Sequence, residues 1–340
     1  MQNEEAFYRL LSAPKKCAII THFKPDADAM GSSLGWALFL EKRGHEVAVI
    51  TPSEYPDFLA WLPGNEKTTA VKNEETKEKA IRLIKAADII FCLDFSALQR
   101  IHELGKYVAE AKGIKAVIDH HLEPENFGDY LLSDVKSAST AGLIYDLIGK
   151  CGGKDLLDAD IAACLYAGLM ADTGGFRHSN TRSREFEMAA ELVNRGANPH
   201  FISKQILENN SLERIRFTGF VLKDKLTVLP EFRTAYIALS ADEAKQYKAA
   251  TGDSEGLVNY GLSVKGIVLS ALFFDRKDEI KLSFRSLGSF SVNDLARKYF
   301  DGGGHANAAG GLSHASLDET LQKFLSILPA FRDELNKINI

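Results

Sequence analysis

The chain has 340 residues, 45% hydrophobic and 26% charged, and its 41 Lys and Arg against 46 Asp and Glu leave a formal charge of −5. That length suits a globular protein with two cores, while the acidic balance excludes one that coats long nucleic acid, which needs a broad basic surface. No apolar run approaches the ~18 uncharged residues of a membrane span, and the start MQNEEAFYRL lacks the basic and apolar regions of a signal peptide, so a cytoplasmic protein without membrane partners is expected.

In chain order, the first half alternates short apolar runs with helical patterns. CAIITH (17–22), VAVIT (47–51), DIIFCLD (88–94) and KAVIDH (115–120) read as strands, and segments such as SLGWALFLEKRG (33–44) as helices between them. This is the βαβ rhythm of a parallel sheet covered by helices. Gly44, after Lys42 and Arg43, stands where a helix C-cap glycine belongs. Residues 158–194 read as helical around a loop, DTGGFRHSNT (172–181), and the break RGANP (195–199) precedes a helical connector over about 200–228. The pattern then shifts to strands, TAYIALS (234–240), GIVLSALFFD (266–275) and EIKLSFRS (279–286), followed by a helix over 292–299 and a glycine-rich turn. The scattered Cys17, Cys92, Cys151 and Cys164 form no CxxC pair and are expected as buried thiols.

Acidic residues and histidines gather at strand ends. His22, Asp26 and Asp28 follow the first strand, Asp94 ends another, Asp119, His120 and His121 end a fourth, and Asp172 sits in the loop after a helix. Open α/β sheets bind ligands at the carboxyl ends of their strands, so these residues are expected to converge on one crevice. Singly each has a plain structural role: Asp26 and Asp28 as turn or capping residues, Asp94 as a strand end, His120-His121 as a structural pair, Asp172 as a turn former. Together they are too many carboxylates to sit side by side without a cation. Their oxygen and imidazole donors suit Mn, Mg, Zn or Fe, and their number favours two ions over one.

The motifs THFKPDADAMGSSLG, FCLDFS, VIDHHLEP and MADTGGFRHSNT resemble the four motifs of the DHH phosphoesterase superfamily, and GGGHANAAGG (302–311) resembles the signature of its DHHA1 companion domain. The whole is most similar to the short two-domain group that acts as nanoRNase and pAp phosphatase. The resemblance implies an α/β fold: a parallel-sheet DHH domain (1–195) with flanking helices, a helical linker (196–228) and a smaller α/β DHHA1 domain (229–340), with the active site in the cleft between them. It implies two divalent cations, Mn2+ in this family, with His22, Asp26 and Asp94 on one, and Asp28, Asp94, His120 and Asp172 on the other. Asp94 is then the bridge. His121 would face the substrate phosphate as a catalytic residue, with Asp119 orienting an imidazole.

Substrate would be gripped by Gly302, Gly303, Gly304, His305 and Arg285, the glycines admitting backbone N–H groups to a phosphate; Arg177 and His178 are further candidates. The implied substrates are short oligoribonucleotides and nucleoside bisphosphates such as pAp, with no stable long nucleic-acid complex and with a homodimer left open. The alternatives are a cyclic-di-AMP or pApA phosphodiesterase, an exopolyphosphatase or pyrophosphatase, and a catalytically inactive nucleotide sensor. A DHH pyrophosphatase would carry a basic Ser-Arg-Lys-Lys-Gln stretch that this sequence lacks, and the sensor would have lost metal ligands that are all present here.

Overall fold

The computed structural model describes residues 4–250 and 252–339. The chain divides into two compact units, Met1–Asn209 and Asn210–Ile340. The division falls inside the segment expected as a helical connector.

The first unit is built on a six-stranded parallel sheet: β1 (Lys16–Ile20), β2 (Glu46–Thr51), β3 (Thr69–Ala70), β4 (Ile89–Leu93), β5 (Ile114–Asp119) and β6 (Tyr130–Ser133). Their order is β3-β2-β1-β4-β5-β6, and every pairing is parallel. The order reverses between β1 and β4, which is where doubly wound sheets open a crevice for ligands.

Side chains alternate across the central strands, as a period of two requires. Ile19, Phe91 and Ile118 join Trp36, Phe39 and Ile144 in one core, while Ile20, Ile90, Cys92 and Val117 join Ala80, Ile84 and Val108 in another. With both faces buried, the strands read as continuous apolar runs. Of the cysteines, Cys17, Cys92 and Cys164 are buried and Cys151 is half-buried, and none is disulfide-bonded.

In the first unit the strands differ from the sequence reading in their ends and in their number. β1 stops at Ile20 and β5 at Asp119, so His22 and His120 lie in the loops beyond them and not in the strands. β3 and β6 were not anticipated: β3 is only two residues long, and β6 is a half-buried edge strand with no polar alternation to mark it.

The second unit holds β7 (Leu226–Leu229), β8 (Thr234–Leu239), β9 (Leu269–Asp275), β10 (Ile280–Ser286), β11 (Asp301–His305) and β12 (Ala308–Ser313). They form one sheet in the order β11-β12-β10-β9-β8-β7, antiparallel except for β8 beside β9. Its core gathers Phe273, Phe284, Phe300 and Phe324. Residues 226–228, expected as helix, are strand because Leu226 and Val228 pair with Ile237 and Ala235. The glycine-rich run is likewise a strand and not a turn: Gly302, Gly303 and Gly304 oppose Gly311, Gly310 and Ala309 in a hairpin. A Cβ on Gly302 would stand 2.1 Å from the Gly310 carbonyl oxygen, so the strands approach only because side chains are missing. No helix among the described residues is long and apolar enough to cross a membrane.

Candidate metal centre

The strand-end loops of the first unit carry the cluster. After β1 the chain turns through His22 to Asp26, whose Oδ1 accepts the N–H groups of Asp28 and Ala29 and so caps the Ala27–Lys42 helix. Asp28 sits in the first turn of that helix, fully buried. Its two oxygens accept the Thr140 and Ala141 N–H groups at 2.6 and 2.9 Å, at the positive end of the Thr140–Lys150 helix. Asp94 follows β4 in a left-handed conformation, φ 65°, which is costly for a residue with a Cβ and typical of functional sites. Asp172 ends the Ala159–Asp172 helix.

The histidines' tautomers follow from their partners, because a carbonyl oxygen only accepts. His22 Nδ1 donates to the Phe23 carbonyl at 3.0 Å and His120 Nδ1 to the Ser137 carbonyl at 3.2 Å. In each neutral ring Nε2 then keeps its lone pair for a cation. His22 Nε2 lies 3.6 Å from Asp94 Oδ2 and 4.0 Å from Asp26 Oδ1. His120 Nε2 lies 3.2 Å from Asp172 Oδ2, 3.5 Å from Asp94 Oδ1 and 3.8 Å from Asp28 Oδ2. Two triads result, His22–Asp26–Asp94 and Asp28–Asp94–His120, each with ligand atoms within 4.8 Å of one another and both including Asp94.

A third group of the same size, Asp94–Asp119–His121, also meets that limit. Here the 2.7 Å bond between His121 Nδ1 and Asp119 Oδ1 settles the nitrogen's role as a donor, and a protonated nitrogen is no ligand. Asp119 Oδ2 is buried with no hydrogen-bond partner among the described residues.

Charge in the pocket is shared unevenly. Burial, reinforced by Asp94 and Asp172, pushes the Asp28 carboxyl well above the usual carboxylate range. Burial opposes the charge of Asp94 too, but His120 and His22 overcome it and hold that carboxyl well below the range. Burial also works against protonation of His120, yet Asp172 and Asp94 raise it far above an ordinary imidazole. Protons thus offset part of the carboxylates' repulsion, a task that divalent cations perform more completely. The oxygen and imidazole donors fit hard or borderline cations.

Two further residues support the site, Thr140, which lies outside the motifs, and Asn180, which lies near the end of the fourth. Thr140 Oγ1 donates to Asp94 Oδ1 at 2.8 Å, and the Asn180 amide donates to the carbonyls of both Ala138 and Asp172, tying two loops together. Ser139-Thr140 ahead of an apolar run is a helix-start signature, the one signal that could have flagged Thr140. Arg177 and His178 are occupied within their own loop, by the carbonyls of Gly174 and Asp172. In the second unit, Arg285 on β10 and His305 on β11 both stand opposite Ala308 on β12, so they share one row across the sheet. The Gly304 N–H is taken by Asn293 Oδ1 at 2.9 Å.

The profile of the DHH family, N-terminal domain, matches residues 16–169, and that of the DHHA1 domain matches residues 233–332. The chain is 32% identical to the bifunctional oligoribonuclease and PAP phosphatase NrnA of Thermus thermophilus, over 94% of this chain and 90% of that one. This chain belongs to the DHH phosphoesterase family. The NrnA of Bacillus subtilis is also 32% identical, over 85% of this chain and 86% of its own. The crystal structure of an exopolyphosphatase-related protein from Bacteroides fragilis matches with a TM-score of 0.92 at 36% identity, covering 98% of this DHH–DHHA1 chain and 97% of that one.

Proposed function

We propose that this DHH phosphoesterase hydrolyses short oligoribonucleotides to mononucleotides and pAp to AMP, using two divalent cations, with Mn2+ as the ion. The observation that carries the reading is Asp94, one carboxylate common to two ligand triads at the switch point of the sheet. The two NrnA relatives, similar over most of both chains, support the substrate class.

In this reading His22, Asp26 and Asp94 hold one cation, and Asp28, Asp94, His120 and Asp172 the other. When bound, such a pair neutralises charge on the attacked phosphate and makes water nucleophilic at neutral pH. The chain's own residues do the rest. Asp119 accepts from His121 Nδ1 and fixes that ring, leaving Nε2 as the atom that gives a proton to the leaving oxygen. Thr140 and the first N–H groups of its helix hold Asp94 and Asp28 in place. Arg285 and His305, in one row on the second sheet, and the glycine hairpin beside them are the substrate-binding groups of this reading.

The test is metal analysis of the purified protein together with rates on pAp, RNA of two to about twenty nucleotides, pApA, cyclic di-AMP, pyrophosphate and polyphosphate. About two ions per chain and highest kcat/KM on pAp or the shortest RNA support the reading. Preference for polyphosphate would shift it toward the exopolyphosphatase alternative, which the Bacteroides relative's description keeps in view.

A further inference from the structure

Beside the metal ligands lies a group of side chains that the reaction above does not use. Phe23, which follows His22, packs against the His102 ring with centroids 4.0 Å apart and planes tilted by 35°. Lys24 Nζ lies 5.5 Å from the centre of the Phe23 ring. Phe23 is half-buried, while Lys24, Arg100 and His102 are exposed. The Phe23 N–H donates to the Arg100 carbonyl at 2.8 Å, and the Lys24 N–H to Ser53 Oγ at 2.7 Å, so the loops after β1, β2 and β4 are locked together. Next to these residues in sequence, Glu103 is paired with Lys77 and Glu54 with Lys72.

Two residues of this group are backbone outliers. Lys24 has φ 55° and His102 φ 48°, conformations in which glycine would be less strained. Strained backbone of this kind persists where the surrounding structure enforces it, and it clusters at active sites and ligand clamps. A stabilised fold would place glycine at 102, whereas a ring that must meet Phe23 cannot be glycine.

We propose that Phe23, Lys24, Arg100 and His102 form a nucleotide platform: a nucleobase stacks on the Phe23–His102 pair, and an adjoining phosphate faces Lys24 and Arg100. Aromatic faces bind every base, and the cations track the backbone, the combination that single-stranded nucleic acid requires. The assignment rests on the phosphoesterase reading, and it adds which part of the substrate this rim holds.

The test compares AMP, ribose 5-phosphate and inorganic phosphate by titration calorimetry on the full chain in manganese-containing buffer, for wild type, His102→Gly, His102→Asn and Arg100→Gln. A base stack corresponds to about 5- to 150-fold in affinity, so wild type should favour AMP over ribose 5-phosphate by at least about 5-fold. Both His102 variants should lose most of that ratio, with the melting temperature of His102→Gly unchanged or raised. Arg100→Gln should weaken AMP and ribose 5-phosphate by a common factor. Equal wild-type affinity for the two ligands, a ratio that survives His102→Gly, or a melting temperature that falls with the ratio would overturn the platform. The titrations involve no turnover. A wild-type protein that binds AMP through His102 yet cleaves no phosphoester would therefore defeat the proposed function and leave the platform standing.

Discussion

Asp94 joins three roles in one residue: shared carboxylate of two triads, acceptor from Thr140, and left-handed backbone at φ 65°. Either Asp94→Ala or Asp94→Gly should cut turnover by at least about 10²-fold and reduce bound metal, since both remove the shared charge. They should differ in stability. Glycine accepts positive φ and alanine does not, so Asp94→Gly is expected to be about 1–2 kcal/mol more stable than Asp94→Ala in chemical denaturation; equal stabilities would mean that the turn relaxes without strain. The paired histidines should separate in the same assay. His120→Ala should lose metal, because its Nε2 faces Asp28, Asp94 and Asp172. His121→Ala should keep metal while kcat falls by about 10²-fold or more, and equal depletion of metal in both variants would refute that division. Thr140→Val keeps the shape and the N–H to Asp28 but removes the hydroxyl from Asp94 Oδ1. Metal affinity is expected to drop about 10- to 100-fold, read by competition with a chelating dye.

At the scale of elements, the site depends on how closely the Ala27–Lys42 and Ala159–Asp172 helices approach, since they carry Asp28 and Asp172. Glycines make that approach possible. A Cβ on Gly31 would lie 2.3 Å from the Cys164 carbonyl oxygen, and one on Gly168 would lie 2.7 Å from Asp28 Oδ1 and 2.8 Å from Ala141 Cβ. A Cβ on Gly35 would press on the side chain of Leu165, at 2.9 Å from Cδ2 and 3.1 Å from Cγ, and on no backbone atom within that range. Gly31→Ala should therefore destabilise the fold by about 1–3 kcal/mol, and Gly35→Ala by clearly less. Gly168→Ala should act on the site directly, lowering metal affinity out of proportion to its loss of stability because the new methyl pushes on Asp28. Melting curves with and without manganese distinguish these outcomes: a Gly168→Ala protein with a wild-type metal-induced shift would show that Asp28 has room to move.

At the scale of the whole chain, two expectations concern solution behaviour. His45 is buried, with Nδ1 accepting the Lys15 N–H at 3.2 Å, and burial lowers its pKa from 6.5. Below about pH 6.5 the unfolded chain takes up a proton at His45 that the folded chain resists, so the stability from this residue is present above that pH and lost as pH falls. The stability gap between wild type and His45→Asn should narrow from pH 7.5 to 5.5 in urea titrations. A gap that widens toward acid would mean His45 is protonated in the fold. The second expectation follows from the net charge of −5: a longer strand gains few phosphate contacts beyond those at the site, so kcat/KM should fall, not rise, as RNA lengthens past about five nucleotides. Rates that climb with length would require a basic track that this composition does not suggest.

Much of this was legible in the chain itself. Apolar runs at βαβ spacing dictated a parallel sheet buried on both faces, because strands covered on both sides need no polar alternation. His22, Asp26, Asp28, Asp94, His120 and Asp172 could be picked out because each follows a strand or ends a helix, where such folds place ligands. Other features were decided only in three dimensions. The two-residue β3 and the edge strand β6 draw their stability from pairing with β2 and β5, and the hairpin of β11 and β12 is made of glycines in place of the β-branched residues that mark a strand, so no local pattern announces them. The nearness of Thr140 to Asp94, the row shared by Arg285 and His305, and the stacking of Phe23 on His102 are likewise products of packing. Local sequence specifies which groups a segment offers and how its backbone turns; which of them meet depends on long-range burial and pairing, and those energies exist only once the chain is folded.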